Sequence, residues 1–237
     1  MISLRQAIRC VKQNMTPSIR AMSSQSLVNI TADKDNDEVA ILTLQRPPVN
    51  SLNLELLQAI NRSLDEIANN NFRAMILTSG HAPAGGCLLA MSCEYRAMVT
   101  GPYTIGLNET ALGIVAQTWF MDCMLNVIPQ RECESALNTG KLFTVEEAIE
   151  VGLVDEAAND KNDAINKCKK FIEKFDRIPP EARTLSKLKF RARSTQWLKT
   201  NKQADLEEFL AFIQMPKVQE SLGMYISMLK AKKNKSN

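Results

Sequence analysis

One histidine, His81, stands in the whole 237-residue chain. Histidine-rich metal centres are thereby excluded, and a Ser-His-Asp triad would have to be built on that single residue. The six cysteines (Cys10, Cys87, Cys93, Cys123, Cys133, Cys168) contain no C-x-x-C pair. This excludes a zinc ribbon and a thioredoxin-like redox motif, and leaves free thiols in a reducing compartment, most of them buried. No apolar run approaches the roughly 20 residues of a membrane-spanning helix, so no membrane span is expected. Basic and acidic side chains nearly balance, 29 against 26, and no dense basic stripe offers a footprint for nucleic acid. What remains is an ordinary globular composition, long enough for one large or two small domains with a buried core.

Acid is missing from the N-terminal segment, where the first acidic residue is Asp33. Residues 1–22 instead carry Arg5, Arg9, Lys12 and Arg20. Leu4, Ile8, Val11 and Met15 recur at helical spacing, with Arg5, Arg9 and Lys12 off that stripe, which describes a basic amphipathic helix. Such a helix is the pattern of a mitochondrial presequence, and its basic residues interrupt every apolar stretch that could serve as a secretory signal. Arg20-Ala21-Met22-Ser23 offers a processing point. The formal charge of +3 includes the four basic residues of this segment, so the chain beyond it is close to neutral. The C-terminal cluster Lys230, Lys232, Lys233 and Lys235 reads as a solvated tail, and the ending Ser236-Asn237 is not a peroxisomal S-K-L address.

The remainder alternates. Val39–Leu44 reads as a strand closed by Arg46-Pro47-Pro48. A helix follows, capped by Asn53, with Leu54, Leu57, Ile60, Leu64 and Ile67 expected on its buried face. Arg73–Thr78 reads as a second, buried strand, and strand, helix, strand suggests a parallel unit. Tyr95–Val99 and Tyr103–Ile105 read as short strands. Gln117–Val127 and Gln130–Asn138 read as helices, and Thr144-Val145-Glu146-Glu147 as a capping box. Four further helical stretches, Ala164–Phe175, Glu181–Arg193, Asp205–Ile213 and one after Pro216, make a helical end.

Two segments stand out chemically. In Pro83-Ala84-Gly85-Gly86-Cys87 a glycine pair opens a helix, where backbone N–H groups lack acceptors and lie open to an oxyanion. In Gly106-Leu107-Asn108-Glu109-Thr110-Ala111-Leu112-Gly113 a carboxylate sits in a loop flanked by glycine and apolar residues, and partial desolvation would raise it toward the range of a useful base. From the residues alone, the first is equally a plain tight turn and the second a solvated loop acid. His81, beside the glycine turn, reads as structural or substrate-lining. Trp119, Phe120, Met121 and Met124 read as core packing or as the lining of an acyl pocket.

Taken in order, G-H-A-P-A-G-G-C, C-E-Y-R-A, G-L-N-E-T-x-L-G-I and A-L-x-T-G-K-L-F-T-V-E-E-A-I-E-V-G-L-V-D-E resemble the crotonase, or enoyl-CoA hydratase/isomerase, superfamily over roughly residues 38–230. R-P-P-V-N-S-L and the N-E-T loop are most similar to its mitochondrial enoyl-CoA delta isomerase branch. The resemblance implies an α/β fold, a crotonase-like spiral of ββα units with a helical C-terminal subdomain. The divisions expected are a presequence over 1–22, the core over 23–177 and the helical subdomain over 178–237. It implies isomerisation of 3-enoyl-CoA to 2-trans-enoyl-CoA in fatty-acid β-oxidation in the mitochondrial matrix. Glu109 matches the catalytic carboxylate, Gly85 an oxyanion N–H donor and Asn108 a substrate-contacting position. No cofactor is implied, since CoA belongs to the substrate, and the implied assembly is a homotrimer. Hydratases of the superfamily carry a second carboxylate where this chain has Leu88, which favours isomerisation over hydration.

One segment of the family pattern is missing. The strand Arg73–Thr78 meets the turn Gly80–Cys87 directly at Ser79-Gly80, without even the roughly 10 to 12 residues a parallel crossover minimally needs. The absent stretch would carry the F-S-A-G-x-D-L loop, the first oxyanion donor and another strand, so the core is expected to be truncated by one crossover. Loss of one such donor costs about 3 to 4 kcal/mol of transition-state stabilisation. A catalytically dead subunit or splice form that acts only in assembly is therefore the alternative expectation.

Overall fold

The computed structural model describes residues 26–47 and 50–235, with side chains described as far as residue 227. The presequence reading, Cys10, Pro48 and the side chains of the Lys230–Lys235 cluster lie outside the described residues.

The chain begins with β1 (Val28–Ala32), antiparallel to β2 (Val39–Leu44) with Val28 opposite Leu44. After α1 (Leu54–Asn69) it returns as β3 (Ala74–Thr78), parallel to β2 with Val39 opposite Ala74 and Thr43 opposite Thr78. Asn53 caps α1 by accepting the Leu56 N–H at 3.0 Å. That cap sets which residues the helix turns toward the sheet. Leu56, Ile60, Ser63 and Ile67 face inward against Val28, Ala40, Leu42 and Leu44, while Leu54, Leu57 and Leu64 are exposed. The expected buried stripe is thus corrected. The helix carries leucine on two faces, periodicity alone does not choose between them, and Leu56 fills the space over β2.

Beyond β3 the sheet breaks. Only Ser79-Gly80-His81 joins β3 to β4 (Ala82–Pro83), which is too short a link to let the two lie side by side in parallel. β4 pairs instead with β6 (Ile105–Gly106), Ala82 opposite Ile105 and Pro83 opposite Gly106. β5 (Ala97–Val99) pairs with β7 (Glu156–Ala158) as a third small sheet. Among the described residues β3 therefore has a strand neighbour, β2, on one side only.

Helix α2 (Gly85–Ser92), a 3₁₀ turn (Thr110–Leu112), α3 (Thr118–Leu125), α4 (Gln130–Thr139) and α5 (Val145–Glu150) enclose the second core. Cys87, Met91, Leu107, Met124, Phe143 and Leu153 are its centre. Met124 and Phe120 pack in or against it, as the core-packing reading of that helix requires. The end of the chain is α6 (Lys161–Glu173), α7 (Pro180–Phe190), α8 (Ala192–Ile213) and α9 (Pro216–Lys235). α8 is longer than the Asp205–Ile213 stretch expected, because residues 192–204 continue the helix without an apolar face of their own.

Charge ties α6 to the first sheet. Lys169 Nζ meets Asp33 Oδ1 at 2.6 Å and Asp35 Oδ2 at 2.8 Å, and Arg73 pairs with Asp176. The Asp33 carboxylate is almost fully enclosed, so this ion pair outweighs the exposed ones on the surface.

Candidate functional site

Three segments meet at the carboxyl ends of parallel strands, where α/β sheets commonly place ligands. Gly85 follows β4 by two residues and Glu109 follows β6 by three. Because β4 and β6 are adjacent and parallel, both segments leave the sheet on the same side. The Ala84 N–H donates to Gly106 O at 2.8 Å and locks the two exits together. From the end of β2, Leu52 reaches the same place: a Cβ added to Gly85 would lie 2.7 Å from Leu52 Cδ1.

Gly85 begins α2 at its N-terminus, so its N–H has no intrahelical acceptor, and none occurs elsewhere among the described residues. The preceding Ala84 holds φ 50°, ψ −120°, a backbone region that costs a non-glycine residue on the order of 1 to 3 kcal/mol. Strain at the entry to the glycine pair and an unpaired donor at its first residue coincide.

Glu109 is 6% exposed, and its Oε2 has no hydrogen-bond partner. Burial pushes its carboxyl above the usual carboxylate range, and a bond to its own backbone N–H only partly offsets this. Its carbonyl accepts from the Leu112 N–H at 2.9 Å and the Ile114 N–H at 3.0 Å, which closes the 3₁₀ turn over it. Asn108 Oδ1 beside it is likewise buried and unpartnered. Two neighbouring acceptors without donors are rare in a native interior and mark a place built to receive something else. Cys87, two residues beyond Gly85, is fully buried in the second core. Burial first, and the Glu109 charge second, push its thiol up to about 12.

All three residues singled out in the sequence, Gly85, Asn108 and Glu109, lie on these two adjoining segments. His81 does not join them; it is exposed and meets Tyr103 edge-on at 5.2 Å. Leu88 packs against the second core and offers no carboxylate. Trp119 lines a cavity of about 190 Å³ with Met91, Cys123, Asn126 and Leu198. Arg191, also on its wall, is engaged with the carbonyls of Met91 and Ser92 and so caps the end of α2. Among the described residues no three His, Cys, Asp or Glu side chains gather as a metal site would require.

Sequence reasoning missed Leu52, whose contact with Gly85 crosses 33 positions of chain, and Ala84, whose positive φ no local pattern announces. Gly140, just after the expected helix Gln130–Asn138, drew no functional notice either. That residue turns out to press on the Glu109 loop.

Comparison with known proteins points one way. The family model described as enoyl-CoA hydratase/isomerase matches residues 78–235. Enoyl-CoA delta isomerase 1, mitochondrial, of Mus musculus is 36% identical over 246 residues, covering 82% of this chain and 85% of that protein. Its Homo sapiens counterpart is 34% identical, with 82% and 81% covered. The crystal structure of human mitochondrial delta3-delta2-enoyl-CoA isomerase superposes with a TM-score of 0.83 at 33% identity, over 87% of this chain and 99% of that one. The mouse alignment is longer than the part of this chain it uses, so that relative carries residues without a counterpart here.

Proposed function

Because the chain belongs to the enoyl-CoA hydratase/isomerase family and has its α/β crotonase fold, we propose that it isomerises 3-enoyl-CoA to 2-trans-enoyl-CoA in fatty-acid β-oxidation, with Glu109 as a single proton shuttle. The family makes it an enzyme, and the names of its mouse and human relatives favour isomerisation and a mitochondrial location. The basic, acid-free first 22 residues support import into the matrix.

The observations that carry the reading are the buried, unpartnered Glu109 Oε2 and the open N–H of Gly85, on segments that leave two paired parallel strands on the same side. As carboxylate, Glu109 takes the proton from C2 of the acyl chain. The electron pair moves into a dienolate whose oxygen is the former thioester carbonyl. The Gly85 N–H and the N-terminus of α2 stabilise that negative charge. Glu109, now the acid, returns a proton to C4, and the double bond ends between C2 and C3. Burial suits both steps, since a carboxyl raised above its ordinary range is a stronger base toward C2 and, once protonated, still an acid able to serve C4. In this reading Asn108 contacts the substrate, and its unpartnered Oδ1 supports that role. Leu88 supplies no second carboxylate to activate water, which disfavours hydration. No cofactor enters, since CoA is part of the substrate.

With only one oxyanion donor in the β4–α2 turn, turnover is expected on the order of 10² to 10³ below that of a two-donor site. The broken sheet specifically favours a second reading, a family subunit that assembles without catalysing. The exposed apolar residues of α7 support assembly into a homotrimer in either case. An isomerase assay on a 3-enoyl-CoA with wild type and Glu109→Gln decides. Measurable conversion that Glu109→Gln removes supports the shuttle; equal rates for the two proteins overturn it, and no conversion by an intact oligomer supports the second reading.

A further inference from the structure

The segment Gly140–Phe143 leaves α4, runs under the Glu109 loop and enters α5. We propose that this strap positions the Glu109 carboxyl and that Gly140 is a positioning residue, an inference that rests on reading Glu109 as the proton shuttle.

The strap is fixed at both ends. Gly140 closes α4 in the left-handed region, φ 61° and ψ 39°, and the Lys141 N–H returns to Ala136 O at 2.9 Å. At the other end the Thr144 side chain accepts the Glu147 N–H while the Glu147 carboxylate accepts the Thr144 N–H, and Lys141 Nζ pairs with Glu147 Oε1 at 3.0 Å.

Between these anchors the strap touches the Glu109 segment three times in succession. Phe143 and Ile105 exchange both backbone hydrogen bonds, at 2.8 and 3.1 Å. A Cβ on Gly106 would fall 2.3 Å from Lys141 O. A Cβ on Gly140 would fall 2.5 Å from Ala111 N and 2.7 Å from Ala111 Cβ. Ala111 lies two residues after Glu109, inside the turn that the Glu109 carbonyl closes. A side chain at position 140 therefore meets backbone, which cannot swing aside, and the displacement passes through one rigid turn to Glu109. Gly140 has the one side chain that both its φ and this contact allow.

Positioning and mere support differ in what they predict. A misplacement of about 1 Å costs on the order of 100-fold in rate. Gly140→Ala is expected to lower kcat by that order with KM unchanged. It should also let water reach the Glu109 carboxyl, so that its titration, followed by carboxyl ¹³C NMR, falls back toward the ordinary carboxylate range. The titratable neighbour on the facing helix, the Cys87 thiol, remains neutral throughout the range used. Should Gly140→Ala fail to fold, Ala111→Gly loosens the same contact from the other side without adding an atom, and the same two changes are expected. A folded variant of either kind with wild-type kcat and a wild-type Glu109 titration overturns the proposal. The NMR readout needs no turnover, so it separates failure here from failure of the isomerase reading, which Glu109→Gln tests on its own.

Discussion

At the scale of the residue, Glu109 sets function against stability. Its carboxyl is buried with one oxygen unpartnered, and its folded-state pKa lies above the ordinary value. The folded chain therefore holds that proton more tightly than the unfolded chain does. Stability falls as pH rises from the unfolded pKa through the folded one, and the full penalty applies above both. Glu109→Gln removes the buried charge, so it is expected to raise Tm by a few degrees at neutral pH. The gain should vanish at a pH below the ordinary glutamate value. Thermal melts of both proteins across pH read this directly, and an equal gain at acid and neutral pH contradicts the burial argument. In catalysis the same raised pKa predicts that kcat/KM declines on acidification at a higher pH than an exposed glutamate would give, because the base must be ionised.

At the scale of the element, helices are placed by different mixtures of force. α1 is held by an apolar face against the first sheet; α6 adds charge to the stacking of Phe171 on Tyr95 at 4.6 Å. Lys169 reaches Asp33 and Asp35, and these partners, the Asp33 bond first, hold its ammonium above the usual lysine range. A raised basic pKa stabilises the fold below the unfolded value and loses that contribution only as pH climbs through the folded one, so the tie persists across the neutral range. Lys169→Met leaves the Asp33 carboxylate enclosed and without its partner. The expected loss is about 3 kcal/mol, the low end of the range for breaking a buried pair. Denaturant unfolding at neutral pH measures it. The exposed Arg73–Asp176 pair makes the control, since its removal is expected to cost under about 1 kcal/mol.

At the scale of the whole molecule, the division of the β-structure follows from one short link. Three residues between β3 and β4 cannot carry a crossover, so a sheet that parallel pairing would continue is split into a three-stranded part and two small ones. Two cores result, one under α1 and one around α2 to α5, with Leu89 of α2 reaching from the second toward the first. The C-terminal helices bury little of themselves. Phe190 is 71% exposed, Leu185 57% and Leu188 51%. An apolar cluster of this kind marks a surface for another protein. If α7 contributes to a homotrimer, sedimentation velocity should find wild type as a trimer and Leu188→Asp/Phe190→Asp as a smaller species. An unchanged trimer in that variant removes α7 from the interface.

Much of the site could be read before any coordinate, because its residues announce themselves locally. A glycine pair after a short extended segment, a glutamate in a loop flanked by glycine and apolar residues and the Thr144 capping box depend on neighbours within a few positions, and such short-range chemistry is written in the order of residues. The sequence also determined that the parallel crossover after β3 is absent, since three residues cannot make one. Only the tertiary structure decided which leucine face of α1 is buried, that Leu52 lies against Gly85, and that Gly140 braces Ala111. Each of these joins segments far apart in the chain. The outcome depends on which surfaces fill the same space, and that is fixed by packing in three dimensions rather than by periodicity along one.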